Sequence, residues 1–153
     1  MEEQTSNFTK KTTRFTRNKT EDMSNMLYGK VPPQARELEE AVLGALLIEK
    51  GAIAEVNDVL KPESFYVDAH ATIFRSIQSL FGKSHPIDLL TVTEDLRKSG
   101  KLEEVGGAFY ISELTNKIAS SANVEFHARI IVQKFIQREL IRISSDIIRD
   151  AFE

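Results

Sequence analysis

Eight consecutive residues, Ala41-Val42-Leu43-Gly44-Ala45-Leu46-Leu47-Ile48, carry no polar side chain. As a helix, two such turns present no face that tolerates water, so protein must surround them on every side. The run is far short of the roughly 20 apolar residues that cross a bilayer. Its flanks complete a helix. Pro32-Pro33 stands ahead of it, where a missing N–H costs nothing. Glu37, Glu39 and Glu40 lie toward the positive end of the dipole and Lys50 toward the negative end, with Gly51 placed to close the C-terminus. Gly44 in mid-helix costs about 1 kcal/mol against Ala, which a closely crossing helix would explain. Everything downstream is expected to pack on this rod.

The spacing predicts short helices throughout. Ile53, Val56 and Leu60 recur at helical intervals up to Pro62, and Pro62 to Tyr66 reads as a tight turn sending Phe65 and Tyr66 inward. Asp68 is placed to cap a third helix with the stripe Ile73, Phe74, Ile77, Leu80 and Phe81, ending at Gly82. Thr91 and Glu94 have capping-box spacing ahead of a helix that turns Val92 and Leu96 inward and stops at Gly100. Beyond Gly106-Gly107, Tyr110, Ile111, Leu114 and Ile118 share one face. From Ala108 to Glu153 there is neither Gly nor Pro, and only Ser120-Ser121-Ala122-Asn123 interrupts the pattern. The apolar series from Phe126 to Phe152 then implies a helix of about 45 Å. Such a helix outreaches a small head, so it either folds back near Gln137 or projects. No period-two run or hairpin dipeptide suggests a strand. The expected fold is all-α: a tail over 1–30, a compact helical head over 31–118, and a helical arm or hairpin over 119–153.

Charge divides the chain unevenly. The net charge is −3, yet residues 1–30 hold six Lys and Arg against four acids. Within them Lys10, Lys11, Arg14, Arg17 and Lys19 lie between Phe8 and Thr20 with no acid. Cations interleaved with aromatics suit single-stranded nucleic acid; a solvated extension, poor in apolar residues and disordered, is the favoured reading. The remainder is acidic, which argues against duplex binding by the folded part. Without Cys, neither a disulfide nor a thiolate metal site can form. No signal-like apolar stretch opens the chain, and a cytoplasmic location without membrane contact is expected.

Catalytic patterns are missing. Gly82-Lys83-Ser84 resembles the end of a phosphate-binding loop, but Ile77 stands where the first glycine belongs and an amphipathic helix precedes it. His70, His85 and His127 lack a second ligand at metal spacing, and His70 is expected to be a partly buried hydrogen-bonding residue. The Glu37, Glu39 and Glu40 cluster and the Glu103-Glu104 pair read as helix-end and loop charges. Arg129, Lys134, Arg138, Arg142 and Arg149 on the arm read as a solvated face interleaved with acids, with a nucleic-acid face as the lesser alternative.

Several segments resemble the opening of bacterial replicative DNA helicases of the DnaB family. These are Val31-Pro32-Pro33-Gln34, Glu40 to Gly44, Phe65-Tyr66 with His70 and Ile73-Phe74, Pro86 to Thr91, Leu102 to Gly107 with Tyr110, and Ala122-Asn123-Val124 with Ala128-Arg129-Ile130. The resemblance spans about residues 31–153 in one register and leaves 1–30 unmatched. It implies the N-terminal domain of such a helicase, a helical head and hairpin that precede a linker and an ATP-dependent motor. On that basis the region itself would be no enzyme and hold no cofactor, with ATP and Mg confined to the motor. The implied partners are further copies of itself, as dimers and a trimer of dimers, then primase, helicase loaders and, through the complete ring, DNA.

The arm carries more apolar residues than one face can bury. Ile136, Leu140, Ile143 and Ile147 follow one stripe, while Ile141 and Ile148 lie off it, so partner contacts are expected among Ile136, Leu140, Ile141, Ile147 and Ile148. Glu37 and Tyr110 are added candidates for a primase-facing surface. A free-standing helical DNA-binding regulator, using the basic tail and arm, is the alternative function.

Overall fold

The computed structural model describes residue 29, residues 31–117 and residues 123–153, and among these the only regular elements are helical. In chain order they are α1 (Arg36–Ile48), α2 (Ala52–Val56), a 3-10 turn (Pro62–Ser64), α3 (Asp68–Gly82), α4 (Leu89–Lys98), α5 (Gly107–Asn116) and α6 (Val124–Phe152). The basic residues Lys10, Lys11, Arg14, Arg17 and Lys19 lie outside the described residues, as do Ile118 and the Ser120-Ser121-Ala122 interruption.

The all-apolar rod is the centre of the head. Val42 to Leu47 are buried on every face, and α1 packs against α5, α6 and α3 as well as α2. Burial stops one residue earlier than expected: Ile48 is 59% exposed. It leaves the core at the last turn and borders an open groove together with Phe81, Pro86 and Ile87. Phe81, placed by its spacing on the inward stripe of α3, is likewise 39% exposed, whereas Ile73, Phe74, Ile77 and Leu80 are buried. Ile53, Val56, Leu60, Val92, Leu96, Ile111 and Leu114 also join the core.

Helix ends differ from the expected caps in instructive ways. At α4 the cap is Asp88, whose Oδ1 accepts from Thr91 N–H at 2.8 Å while Thr91 Oγ1 accepts from Asp88 N–H at 2.9 Å. Thr91 is thus the returning half of the box, and Glu94 instead pairs with Arg97. Gly51 does not close α1 but precedes α2, at φ +91°. α3 ends through a different residue again: Ser84 takes the left-handed conformation at φ 56°, with Ser84 N–H donating to Phe81 and His85 N–H to Leu80. That pairing closes the helix in a Schellman arrangement without a glycine.

α6 is one continuous helix of 29 residues, about 43 Å at 1.5 Å per residue. The fold-back near Gln137 does not occur. Its first four turns lie on the head through Val124, Ala128 and Ile131, all buried, and Ser145 is buried further along it.

Candidate docking surfaces

Two faces of α6 have opposite characters. The inward stripe continues from Val124, Ala128 and Ile131 through Phe135 to Arg138, at alternating intervals of three and four. Arg138 is not part of a solvated basic face. Its guanidinium donates to the Pro33 carbonyl at 2.8 Å and to the Ser64 carbonyl at 2.9 Å, and lies over the rings of Tyr66 and Phe135. Burial lowers its pKa, opposed by the field of the Glu39 carboxylate. A planar five-donor cation suits two diverging carbonyls, so Arg138 ties the arm to the segment before α1 and to the 3-10 turn.

On the outward face Ile136, Leu140, Ile143 and Ile147 are 52%, 59%, 45% and 63% exposed. Their intervals of four, three and four are those of a coiled-coil seam. Ile141 and Ile148, seven residues apart on the flank, are half-buried. The outward seam lies opposite the stripe that ends at Arg138, while Ile141 and Ile148 flank the buried Ser145. Three further cations of the arm are paired along it: Arg129 with Glu125, Arg142 with Glu139 and Asp146, and Arg149 with Asp146 and Asp150. Carboxylates interleaved so closely offer little to a phosphate backbone, which disfavours the DNA-binding alternative.

The second surface lies where α5 packs on α1. Glu37 is exposed on α1, and Tyr110 is half-buried on α5. Between these helices Lys117 donates to Glu40 at 2.7 Å, and this hydrogen bond raises the Lys117 pKa. The Tyr110 pKa is raised by burial first and by the Glu40 charge second.

Behind Tyr110 runs a polar chain that the residue pattern did not reveal. Glu39, expected among helix-end charges, is 1% exposed. Its carboxylate accepts from Tyr66 N–H at 3.1 and 3.2 Å and from Val67 N–H at 3.3 Å, at the N-terminal entry to α3. Asp68 does not cap α3: it is the first helical residue, the cap position is Val67 without a side-chain bond, and Glu39 binds the N–H groups of Tyr66 and Val67 just ahead of the helix. His70, fully buried rather than partly, sets Nδ1 3.1 Å from Glu39 and Nε2 2.6 Å from the Tyr110 hydroxyl. A signal for Glu39 did exist: it falls on the face that carries Val42, Leu43 and Leu46. Its partners lie 27 to 31 residues away, which no local spacing announces.

Gly82-Lys83-Ser84 does not form a phosphate cradle. The N–H groups of Lys83, Ser84 and His85 are spent on Ser79, Phe81 and Leu80, and a helix precedes them. Among the described residues no group of three acidic or imidazole side chains could hold a metal ion, and no helix is long and apolar enough to cross a membrane.

Comparison with known proteins agrees with this architecture. The profile of the DnaB-like helicase N terminal domain matches residues 31–133. Replicative DNA helicase DnaB of Rhodothermus marinus is 52% identical over 131 residues, covering 82% of this chain and 14% of that protein. The Geobacillus stearothermophilus counterpart is 41% identical over 130 residues, covering 85% and 29%. The chain therefore spans less than a third of the relatives it matches. The crystal structure of the N-terminal domain of DnaB helicase from Mycobacterium tuberculosis superposes with a TM-score of 0.78 at 34% identity, over 80% of this chain and 87% of that one. A structure of a DnaB-like replicative helicase, described with its interactions with primase, gives 0.67 at 31% identity, over 76% of this chain and 27% of that one. With its helical head, its long sixth helix and a family match across residues 31–133, the chain belongs to the DnaB-like helicase N-terminal domain family.

Proposed function

We propose that this chain is the assembly and docking module of a replicative DNA helicase. The observation that carries the reading is the apolar seam Ile136, Leu140, Ile143 and Ile147, exposed on a helix already anchored to its head by another face. Water-facing isoleucines and a leucine at coiled-coil intervals favour a second helix of the same kind, and a copy of this chain supplies one. Pairs formed there would be the units of a larger helicase ring. Primase is the proposed partner of the α1–α5 surface at Glu37 and Tyr110, supported by family membership and by the relative described with primase. Helicase loaders and DNA would act on the complete ring.

No hydrolytic role is proposed for these residues, since the one phosphate-loop look-alike has spent its backbone donors. ATP and Mg would belong to a motor region of the full-length relatives. Titration of the chain with the C-terminal domain of the cognate primase, alongside solution mass against concentration, tests both surfaces. Saturable binding weakened by Tyr110→Ala supports the docking reading, and equal binding by the variant removes that surface from it.

A further inference from the structure

The Glu39–His70–Tyr110 chain has a fixed hydrogen-bond polarity. A carboxylate that accepts two backbone N–H groups has only lone pairs to offer, so His70 Nδ1 must donate to Glu39. In a neutral imidazole Nε2 is then an acceptor, and the Tyr110 hydroxyl at 2.6 Å must be the donor. The imidazole and phenol planes are parallel to within 3°, with centroids separated by 6.1 Å. The base of the same ring sits close against the backbone of Gly106. Gly106 takes φ +108°, and a Cβ there would come within 2.9 Å of the Tyr110 Cβ and 3.1 Å of its Cγ. Tyr110 is thus tied at the hydroxyl to a buried histidine, while its ring base occupies space that only a glycine at position 106 leaves open.

We infer that Tyr110 is a pre-organised aromatic anchor and that His70 is its positioning residue. The inference rests on the docking reading of the α1–α5 surface. A half-buried tyrosine with its torsions already restricted loses little further freedom when a partner arrives, and such residues are favoured as interface anchors. The phenolic hydrogen is committed inward, so a partner meets the ring and not a hydroxyl donor. His70 touches no partner; it acts through the ring it holds. Glu39 in turn fixes the histidine tautomer, which makes the anchor's geometry a property of α1, α3 and α5 together.

The test combines histidine nitrogen NMR with titration by the C-terminal domain of the cognate primase, using the whole chain. In wild type, His70 is expected to show a protonated Nδ1 and an unprotonated Nε2. Tyr110→Phe, which keeps the ring, should shift the Nε2 resonance and weaken primase binding about tenfold while the chain still melts cooperatively. His70→Gln, whose amide oxygen can still accept from the phenol, should bind more tightly than His70→Leu. A protonated Nε2 in wild type overturns the inference. So does wild-type affinity in Tyr110→Phe when Tyr110→Ala loses binding, because the ring then needs no positioning although the docking reading stands. Wild-type affinity in Tyr110→Ala removes Tyr110 from the docking surface, and the inference falls with that reading.

Discussion

At Glu39 and Glu37, two residues apart on one helix, the same side chain meets opposite fates. Glu37 is exposed, so Glu37→Ala should change stability by no more than about 0.5 kcal/mol. Glu39→Ala strips the partner from two backbone N–H groups and from His70, each costing about 1–3 kcal/mol when left buried and unpaired. Chemical denaturation of the two variants measures the contrast; similar midpoints would mean that Glu39 is not the acceptor described. Tyr110 gives a second residue-level test. Its raised pKa means that the folded state disfavours the phenolate, so the contribution is intact below pH 10.0 and is lost as pH rises through the folded value. The tyrosinate absorbance rise above pH 10.0 should lose one of three tyrosines' share in Tyr110→Phe. Apolar positions such as Val42, Ile73 and Leu114 were legible because burial follows spacing. Glu39, His70 and Arg138 were not, because their meaning lies in partners distant along the chain.

Among the elements, α1 and α6 carry the account. The unbroken apolar run predicted the buried rod, and Leu46→Ala at its 1% exposed centre should cost about 2–5 kcal/mol. α6 was legible as a long helix through the lack of Gly and Pro after Ala108. Its two faces were harder to assign, since apolar residues outnumber one stripe and periodicity alone does not say which stripe meets the head. Arg138 decides it, by replacing a hydrophobe at the end of the inward stripe with a cation that two carbonyls require. Arg138→Met keeps much of the packing and removes both hydrogen bonds, each about 1.5–3 kcal/mol for a charged donor. Amide exchange should then quicken in the Pro33 segment and in the 3-10 turn more than in α4. Uniform exchange across the head would show that Arg138 is not the tie between arm and head.

For the molecule as a whole, an acidic helical head holds an arm whose exposed seam points away from it. The family was legible in segments spread along one register; the polar chain behind Tyr110 emerged only when α1, α3 and α5 came together. The central claim is that the seam joins two copies of this chain. Sedimentation equilibrium of wild type and of the double variant Leu140→Asp with Ile143→Asp, over a wide concentration range and with helicity checked by circular dichroism, tests it most directly. The account predicts that the wild-type mass climbs from one chain to two or more, while the variant stays at one chain with its helix content retained. A wild type that remains a single chain at every concentration, or a variant that assembles equally well, would contradict it.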